Sequence, residues 1–172
     1  MAALDRILLR ILKYQLPTMA VLNGHCIAGG LFLSMAHERR IIKEGNWVLT
    51  ANEVPKGIIV PSGFAAVVKT TVPNVIANQL NLGKRIGVKE ALKREVVDAT
   101  YSDNDDLMKQ IHEFVKLEGP RSCSVNHRIA TEQTKRHIHR DAIELLGSSI
   151  RVETYQAIQA ARLMQDMQKA KM

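Results

Sequence analysis

Two adjacent glycines, Gly29 and Gly30, end the stretch VLNGHCIAGG and stand directly before the apolar segment LFLSMA. Glycine is typical of positions where the backbone bends sharply or comes close to another group. If a helix begins at Gly29, its first N–H groups have no acceptor inside the helix. The pattern indicates either close packing of a helix on a strand or a turn whose N–H groups face a ligand.

Histidine and cysteine side chains are the other groups whose types could support chemistry. His25 and Cys26 are adjacent, but no general-base motif accompanies them, which favours residues of a buried turn over a nucleophilic pair. His137 and His139 are two positions apart, so a helix would place them on different faces, and we expect no shared metal ion. The chain has two cysteines, too few for a disulfide framework, which favours a reducing compartment.

The charge balance is basic, with a formal net charge of +7 over 172 residues. Such a balance suits a polyanionic ligand, an anionic membrane or a nucleic acid, or it serves solubility alone. Basic residues concentrate at 135–140, and a helix there, together with His127, would carry either a solvated face or an anion-binding stripe. The sequence has no RNA-binding aromatic motif and no zinc spacing, so we expect no nucleic-acid partner. It also has no apolar run long enough for a membrane span.

The N-terminal segment, MAALDRILLRILKYQLP, mixes basic residues with leucines. It fits either a transit peptide or an amphipathic helix, and Asp5 favours the helix. On a helix, five apolar positions would share one face: Leu4, Ile7, Leu8, Ile11 and Leu12. Pro17 would end this helix.

The rest of the chain begins with short strands and continues with helices, which is typical of an α/β core followed by a helical layer. The predicted strands cover residues 18–23, 39–43 and 47–50, with a turn at 24–28 and an extended piece at 96–98. The predicted helices cover residues 29–36, 64–71, 74–82, 88–93, 103–118, 122–146 and 149–171. Asp103 or Asn104 would cap the fifth of these, and Gly119-Pro120 would end it. Three strands are few for a stable sheet, so we expect the sheet to be incomplete.

Three segments resemble one family. The segment at 17–42, PTMAVLNGHCIAGGLFLSMAHERRII, resembles the signature of the crotonase, or enoyl-CoA hydratase/isomerase, superfamily. That signature has Pro-Thr before a strand, then Asn-Gly, a small-Gly-Gly turn that opens a helix, and an acidic residue before the next strand. Glu38 occupies the acidic position, where the family more often has Asp. The segment at 47–68, WVLTANEVPKGIIVPSGFAAVV, is especially similar to the mitochondrial Δ3,Δ2-enoyl-CoA isomerase branch, and LNLGKRIGVKEALKREVVDAT at 80–100 continues the match.

The resemblance implies an α/β fold: a crotonase-like (ClpP/crotonase) core that lacks its N-terminal strands, followed by a C-terminal helical layer. It implies a single domain over residues 1–172, with a partial sheet-and-helix core at about 1–100 and a helical trimerisation region at about 101–172. In the family, the N-terminal part supplies several strands, one half of the oxyanion hole and much of the CoA-binding loop. We expect the chain to correspond to the C-terminal portion of such a unit.

The resemblance also assigns catalytic roles. Gly29 would donate a backbone N–H to the thioester oxygen in the oxyanion hole. Glu53 would carry a proton from C2 to C4 of the acyl chain. Hydratases of the superfamily have a second glutamate three residues after the oxyanion-hole glycine, and Phe32 stands at that position. The resemblance therefore implies isomerisation of a double bond rather than hydration.

The remaining implied site residues contact the substrate: Ala28, Gly30, Phe32 and Ile58. Apolar residues of the loop would surround Glu53: Val54, Ile58, Ile59 and Val60. No metal and no cofactor is implied, because the coenzyme A thioester is itself the substrate.

Two functions stay open at this point. One is an enoyl-CoA isomerase acting on unsaturated fatty acyl-CoA, and the other is an inactive crotonase-like subunit of a larger assembly. The partners implied are a homotrimer or hexamer, or a chain that supplies the N-terminal part. The location implied is the mitochondrial matrix, with the peroxisome as the alternative, because the C-terminal Ala-Lys-Met loosely resembles a peroxisomal address.

Overall fold

A computed structural model describes residues 2–148 and contains two small sheets with helices packed around them. The helices, in chain order, are α1 (Ala2–Leu12), α2 (Gly29–Met35), α3 (Ser62–Thr71), α4 (Asn74–Asn81), α5 (Val88–Lys93), α6 (Asn104–Ser122), α7 (Val125–Ile138) and α8 (Arg140–Gly147). The strands are β1 (Met19–Leu22), β2 (Cys26–Ile27), β3 (Arg39–Lys43), β4 (Val48–Thr50), β5 (Ile86–Gly87) and β6 (Ala99–Tyr101). A 3₁₀ turn at Val54–Lys56 follows β4.

The described strands form two three-stranded sheets. In the first, β3 lies between β1 and β6, and all three strands are parallel. In the second, β4 pairs in parallel with β2 and antiparallel with β5. Three of these six strands match the predicted ones. Strands β2 and β5 were missed because they have only two residues each, too few to show an alternating hydrophobic pattern.

The predicted extended piece at 96–98 is wrong by three residues, because the strand is β6. Val96 and Val97 are buried, but their N–H groups both bond back to the carbonyl of Ala91 in α5. The predicted turn at 24–28 is also wrong in part, since it contains β2.

The N-terminal segment is an amphipathic helix, as predicted, but its buried face is rotated from the predicted one. Leu8 and Leu12 are completely buried in the core. Ile7 is 48% exposed, whereas Asp5, which was not predicted to lie on the buried face, is buried. A step of about 100° per residue carries position 7 away from the face of 8 and 12.

Helix α6 begins as predicted but ends later. The side chain of Asp103 caps it by accepting a hydrogen bond from the Asp106 N–H at 3.0 Å. The helix then continues through Gly119-Pro120 to Ser122, although these residues were predicted to end it. Pro120 and Lys116, whose carbonyl the missing N–H would have bonded, both lie on the exposed surface. Water can therefore satisfy that carbonyl.

The helix predicted at 122–146 is two helices, because the chain bends at His139 between α7 and α8. The bend seats α8 on α3, where Gly63 permits a close approach: a Cβ on Gly63 would lie 2.9 Å from Leu146. His139 is tied to α3 as well, with its Nδ1 3.0 Å from the Thr70 hydroxyl.

The core is aliphatic and surrounds α2. Its largest completely buried members outside α1 include Leu31, Phe32, Met35, Leu49 and Leu80. Among residues 2–148, no helix has the length and apolar character needed to cross a bilayer. The helix predicted at 149–171 and the C-terminal Ala-Lys-Met lie outside the described residues, and the assignment of 101–172 to trimerisation stays a prediction.

Candidate functional site

Parallel pairing of β2 with β4 brings the two predicted catalytic segments to one sheet edge. Ile27 is the register partner of Thr50, and the Ala28 N–H donates to the Thr50 carbonyl at 2.9 Å. Gly29 follows Ile27 by two residues, and Glu53 follows Thr50 by three. Because parallel strands point the same way, both residues leave the sheet at its carboxyl edge, where α/β proteins commonly bind ligands.

The turn before α2 holds an unusual backbone conformation. Ala28 has φ 53° and ψ −122°, a positive φ that alanine rarely adopts. Such a conformation costs about 1–3 kcal/mol and is found most often at functional sites. It turns the chain so that α2 begins at Gly29, whose N–H and that of Gly30 have no acceptor within the helix.

The two glycines differ in what surrounds them. A Cβ on Gly29 would lie 3.3 Å from Leu4 Cδ2, so packing of α1 against α2 accounts in part for this glycine. A Cβ on Gly30 would meet nothing within 4 Å. Helix packing therefore does not explain the second glycine.

Glu53 lies at the start of the 3₁₀ turn, and its backbone holds that turn closed. Its carbonyl accepts hydrogen bonds from the Lys56 and Ile58 N–H groups, both at 2.9 Å. Gly83, at φ +90°, supports the loop from outside, because a Cβ there would overlap the ring of Pro55. The loop is therefore held against the end of α4.

The Glu53 side chain is half-buried, and one of its oxygens stands out. Oε2 is shielded from solvent and has no hydrogen-bond partner among the described residues. Buried polar atoms are nearly always paired in native proteins, and the exceptions cluster at functional sites.

The apolar environment predicted for the Glu53 carboxylate stays a prediction, and three of the four residues named for it are exposed. Val54, Ile58 and Ile59 are 42%, 48% and 38% exposed, and only Val60 packs against the core. The 3₁₀ turn and the positive φ of Gly57, 72°, direct this part of the loop outward.

The predicted substrate-contact residues lie in three places. Ala28 and Gly30 lie at the sheet edge, and Ile58 lies on the exposed loop. Phe32 is 1% exposed and packs on Phe64 with ring centroids 5.0 Å apart, so its side chain is part of the core.

His25 and Cys26 do not form a nucleophilic pair. The Cys26 thiol is buried 3.5 Å from the Ser34 hydroxyl, and burial raises its pKa. His25 is exposed rather than buried, and its Nδ1 accepts a hydrogen bond from the Val48 N–H at 3.1 Å. Among residues 2–148, no three His, Cys, Asp or Glu side chains are grouped so as to hold a metal ion.

The predicted basic stripe loses Lys135, which is only 5% exposed. Its Nζ lies 2.7 Å from Glu38 Oε1 and donates to the Ile11 carbonyl at 3.1 Å. The other Glu38 oxygen accepts from the Thr18 N–H and hydroxyl at 2.6 and 2.9 Å. We call these contacts the Glu38–Lys135 junction. Nothing in the run of basic residues distinguishes Lys135 from its exposed neighbours.

Comparisons with known proteins identify a matching family and a matching fold. A family model described as enoyl-CoA hydratase/isomerase matches residues 2–164. Enoyl-CoA delta isomerase 2, peroxisomal, of Arabidopsis thaliana is 33% identical over 98 residues, which cover 56% of this chain and 41% of the relative. Enoyl-CoA delta isomerase 3 of the same plant is 34% identical over 100 residues, covering 57% and 42%. The match thus spans about two fifths of these relatives' length.

A solved structure of a probable enoyl-CoA hydratase from Mycobacterium tuberculosis H37Rv superposes with a TM-score of 0.75 at 21% identity. The superposition covers 95% of this chain and 66% of that one. At this level of identity, the likeness shows a shared fold.

Proposed function

This chain belongs to the enoyl-CoA hydratase/isomerase family, as predicted, and we propose from that premise that it shifts a double bond in unsaturated fatty acyl-CoA. The predicted fold class, an α/β crotonase-like core with a helical layer, is confirmed. The observation that carries the proposal is the exit of the Gly29 and Glu53 segments from paired parallel strands at one sheet edge.

In the proposed reaction, Glu53 accepts a proton from C2 of a 3-enoyl thioester. The electron pair moves into a dienolate whose negative charge rests on the thioester oxygen. The Gly29 N–H would stabilise that oxygen, and a fixed donor of this kind contributes about 10²–10³ in rate. Glu53 then returns the proton to C4, so the base is regenerated and no water is consumed.

The choice of isomerisation over hydration rests on Phe32. Hydration needs a second acid or base to activate water, and a buried phenyl ring cannot serve. The relatives named delta isomerases favour the same choice, whereas Escherichia coli carnitinyl-CoA dehydratase is 29% identical over 110 residues. The family includes several reactions, and the isomerase reaction is our proposal among them.

The partners and location are proposals of the same standing. The substrate would be an acyl-CoA, with no further cofactor. We propose a homotrimer or hexamer, or a chain supplying the N-terminal part, as the further partner. One relative is named peroxisomal, which favours the peroxisome over the mitochondrial matrix.

An assay on a 3-enoyl-CoA tests the proposal. We expect the purified chain, alone or with a partner supplying the N-terminal part, to form 2-enoyl-CoA, measured by chromatography of the thioesters. Glu53→Gln should lower kcat by about 10²–10⁴-fold, because the proton acceptor is removed. Glu113→Gln, an exposed carboxylate on α6, is the matched control and should leave kcat unchanged. An active Glu53→Gln variant would contradict the assigned role.

The alternative, an inactive interaction subunit, is favoured by one observation. Helices α6 and α7 carry large apolar side chains on their exposed surface: Val115, Leu117, Val125, Ile129 and Ile138. Light scattering on the chain with a partner present would detect a stable assembly. If that assembly forms but the thioester assay shows no double-bond shift, the result favours this alternative over the enzyme.

A further inference from the structure

A groove of about 620 Å³ lies between the C-terminal half of α1 and the first half of α7. Four cationic side chains line it: Arg6, Arg10, Lys13 and Arg128. The first three are spaced by four and then three positions, so they leave α1 and the turn that continues it on the same side. The lining includes neither Gly29 nor Glu53, so the groove shares neither residue with the candidate site.

The positive charge of the groove is not neutralised by the described residues. Its three arginines form no ion pair within residues 2–148. The one carboxylate in the lining, Glu132, accepts hydrogen bonds from Gln15 at 2.9 Å and from Arg136 at 2.7 Å. These contacts occupy both oxygens of Glu132 and hold its pKa below its usual range. Glu132 is therefore already paired, and the arginines stay available to an anionic partner.

The groove also has an apolar part. Leu9 and Leu16 line it together with Tyr14, whose side chain is 45% exposed. Covering apolar surface removes it from water and stabilises a complex, whereas a small inorganic anion would leave it uncovered. A partner that fills this groove must therefore match apolar surface as well as positive charge.

Acidic protein segments in which Asp or Glu residues are interspersed with leucine have this combination of groups. Arginine suits the carboxylates, because its planar guanidinium donates two parallel hydrogen bonds to one carboxylate. A nucleic-acid backbone, by contrast, presents regularly spaced charge without aliphatic side chains. A second copy of the chain is a poorer match, because two acids at the start of α6, Asp103 and Asp106, already accept hydrogen bonds from backbone N–H groups there.

We propose that the groove between α1 and α7 docks an acidic, leucine-containing segment of another protein. The carboxylates of the segment would pair with the four cations, and its leucines would pack on Tyr14 and the two leucines of the groove. The surface lies outside the proposed catalytic residues, so the proposal does not depend on the proposed reaction.

Fluorescence anisotropy of labelled synthetic peptides, titrated with the full chain in the absence of acyl-CoA, tests the proposal. The probe is a short peptide of glutamates interspersed with leucines. We expect it to bind, with an affinity that falls as ionic strength rises. A matched peptide with serine in place of leucine should bind about ten-fold more weakly, because it covers no apolar surface. A matched peptide with lysine in place of glutamate should not bind.

Matched variants locate the site. Arg10→Gln should weaken binding of the glutamate–leucine peptide by about ten-fold, the loss expected for one charged hydrogen bond. Arg85→Gln, an exposed arginine outside the groove, should weaken it by less than about two-fold. Tyr14→Ser should weaken the glutamate–leucine peptide by about five-fold and leave the glutamate–serine peptide unchanged. All three side chains are exposed, and circular dichroism checks that each variant is folded.

Four results would overturn the proposal. One is no change in anisotropy up to about millimolar protein at low salt. Another is equal binding of the glutamate–leucine and glutamate–serine peptides, or of a single-stranded oligonucleotide of the same charge, which would indicate a general polyanion site. A third is equal weakening by Arg10→Gln and Arg85→Gln, which would indicate attraction to net charge alone. The last is self-association that the glutamate–leucine peptide reverses, which would make a second copy the occupant.

Discussion

Two glutamates, each within a segment that resembles the family, have opposite surroundings in the fold. At the Glu38–Lys135 junction, both carboxylate oxygens of Glu38 have partners at 2.6–2.9 Å. In the junction, the Glu38 carboxylate and Lys135 connect α1, α7 and the segment before β1. At the sheet edge, one Glu53 oxygen, the shielded Oε2, makes no hydrogen bond to the described residues. The difference separates a carboxylate engaged in structural contacts from one with an unpaired oxygen, which the role proposed for Glu53 requires.

The largest expected effect breaks the junction. Lys135→Met should lower the free energy of unfolding by about 3 kcal/mol, because it removes the buried ammonium group that pairs with Glu38 and leaves the Ile11 carbonyl without that donor. Urea denaturation followed by circular dichroism measures it. Glu53→Gln is the comparison and should cost less than about 0.5 kcal/mol, since no paired contact of its side chain is lost. Equal losses in the two variants would remove the distinction between the carboxylates.

A smaller effect is expected where α4 supports the Glu53 loop. Gly83→Ala should cost about 1–3 kcal/mol, because Gly83 has φ +90° and its Cβ would overlap Pro55. The measurement is again urea denaturation, with Gly87→Ala as control, since a Cβ there meets nothing within 4 Å and φ is −86°. If the proposed function holds, Gly83→Ala also lowers kcat by shifting the base, while Gly87→Ala does not.

The smallest expected effect is a pH dependence near the junction. Burial lowers the pKa of His139, with the nearby Glu38 charge opposing the shift and Lys135 adding to it. A lowered pKa in the folded state means that stability present above the unfolded pKa, about 6.5, is lost as pH falls below it. The urea concentration at the midpoint of unfolding should therefore decrease as the pH is lowered from about 7.5 to about 5.5. This decrease should be smaller in the His139→Gln variant. A slope unchanged in that variant would assign the effect elsewhere, for example to His37, whose pKa burial also lowers.

The sequence was informative wherever a local rule decides the structure. The glycine turn before α2, the Asp103 cap and the amphipathic character of α1 all follow from spacing and residue type. The two-residue strands β2 and β5 could not be predicted, because tertiary pairing alone defines them. Pro120 inside α6 was misread, since a proline on an exposed face can be tolerated where the general rule predicts an end.

The members of the candidate site come from the resemblance and stay a prediction, whereas their surroundings could be described only from the structure. Gly29 and Glu53 could be selected from the resemblance, and parallel pairing brings their segments together. The outward direction of Val54 and Ile58 depends on the 3₁₀ turn, which composition does not reveal. Lys135 was predicted to belong to a solvated or anion-binding stripe because neighbouring residues share its charge, and only the folded chain shows it facing Glu38.

The contact of Lys135 with the carbonyl of Ile11 joins positions 124 residues apart. During synthesis on the ribosome, the first helix must therefore wait for nearly all of the described chain before its end is secured. Leu146 reaches Gly63 only later still. Until then, the early apolar surfaces of the nascent polypeptide stay uncovered, and chaperones are expected to remain bound to it until late in translation.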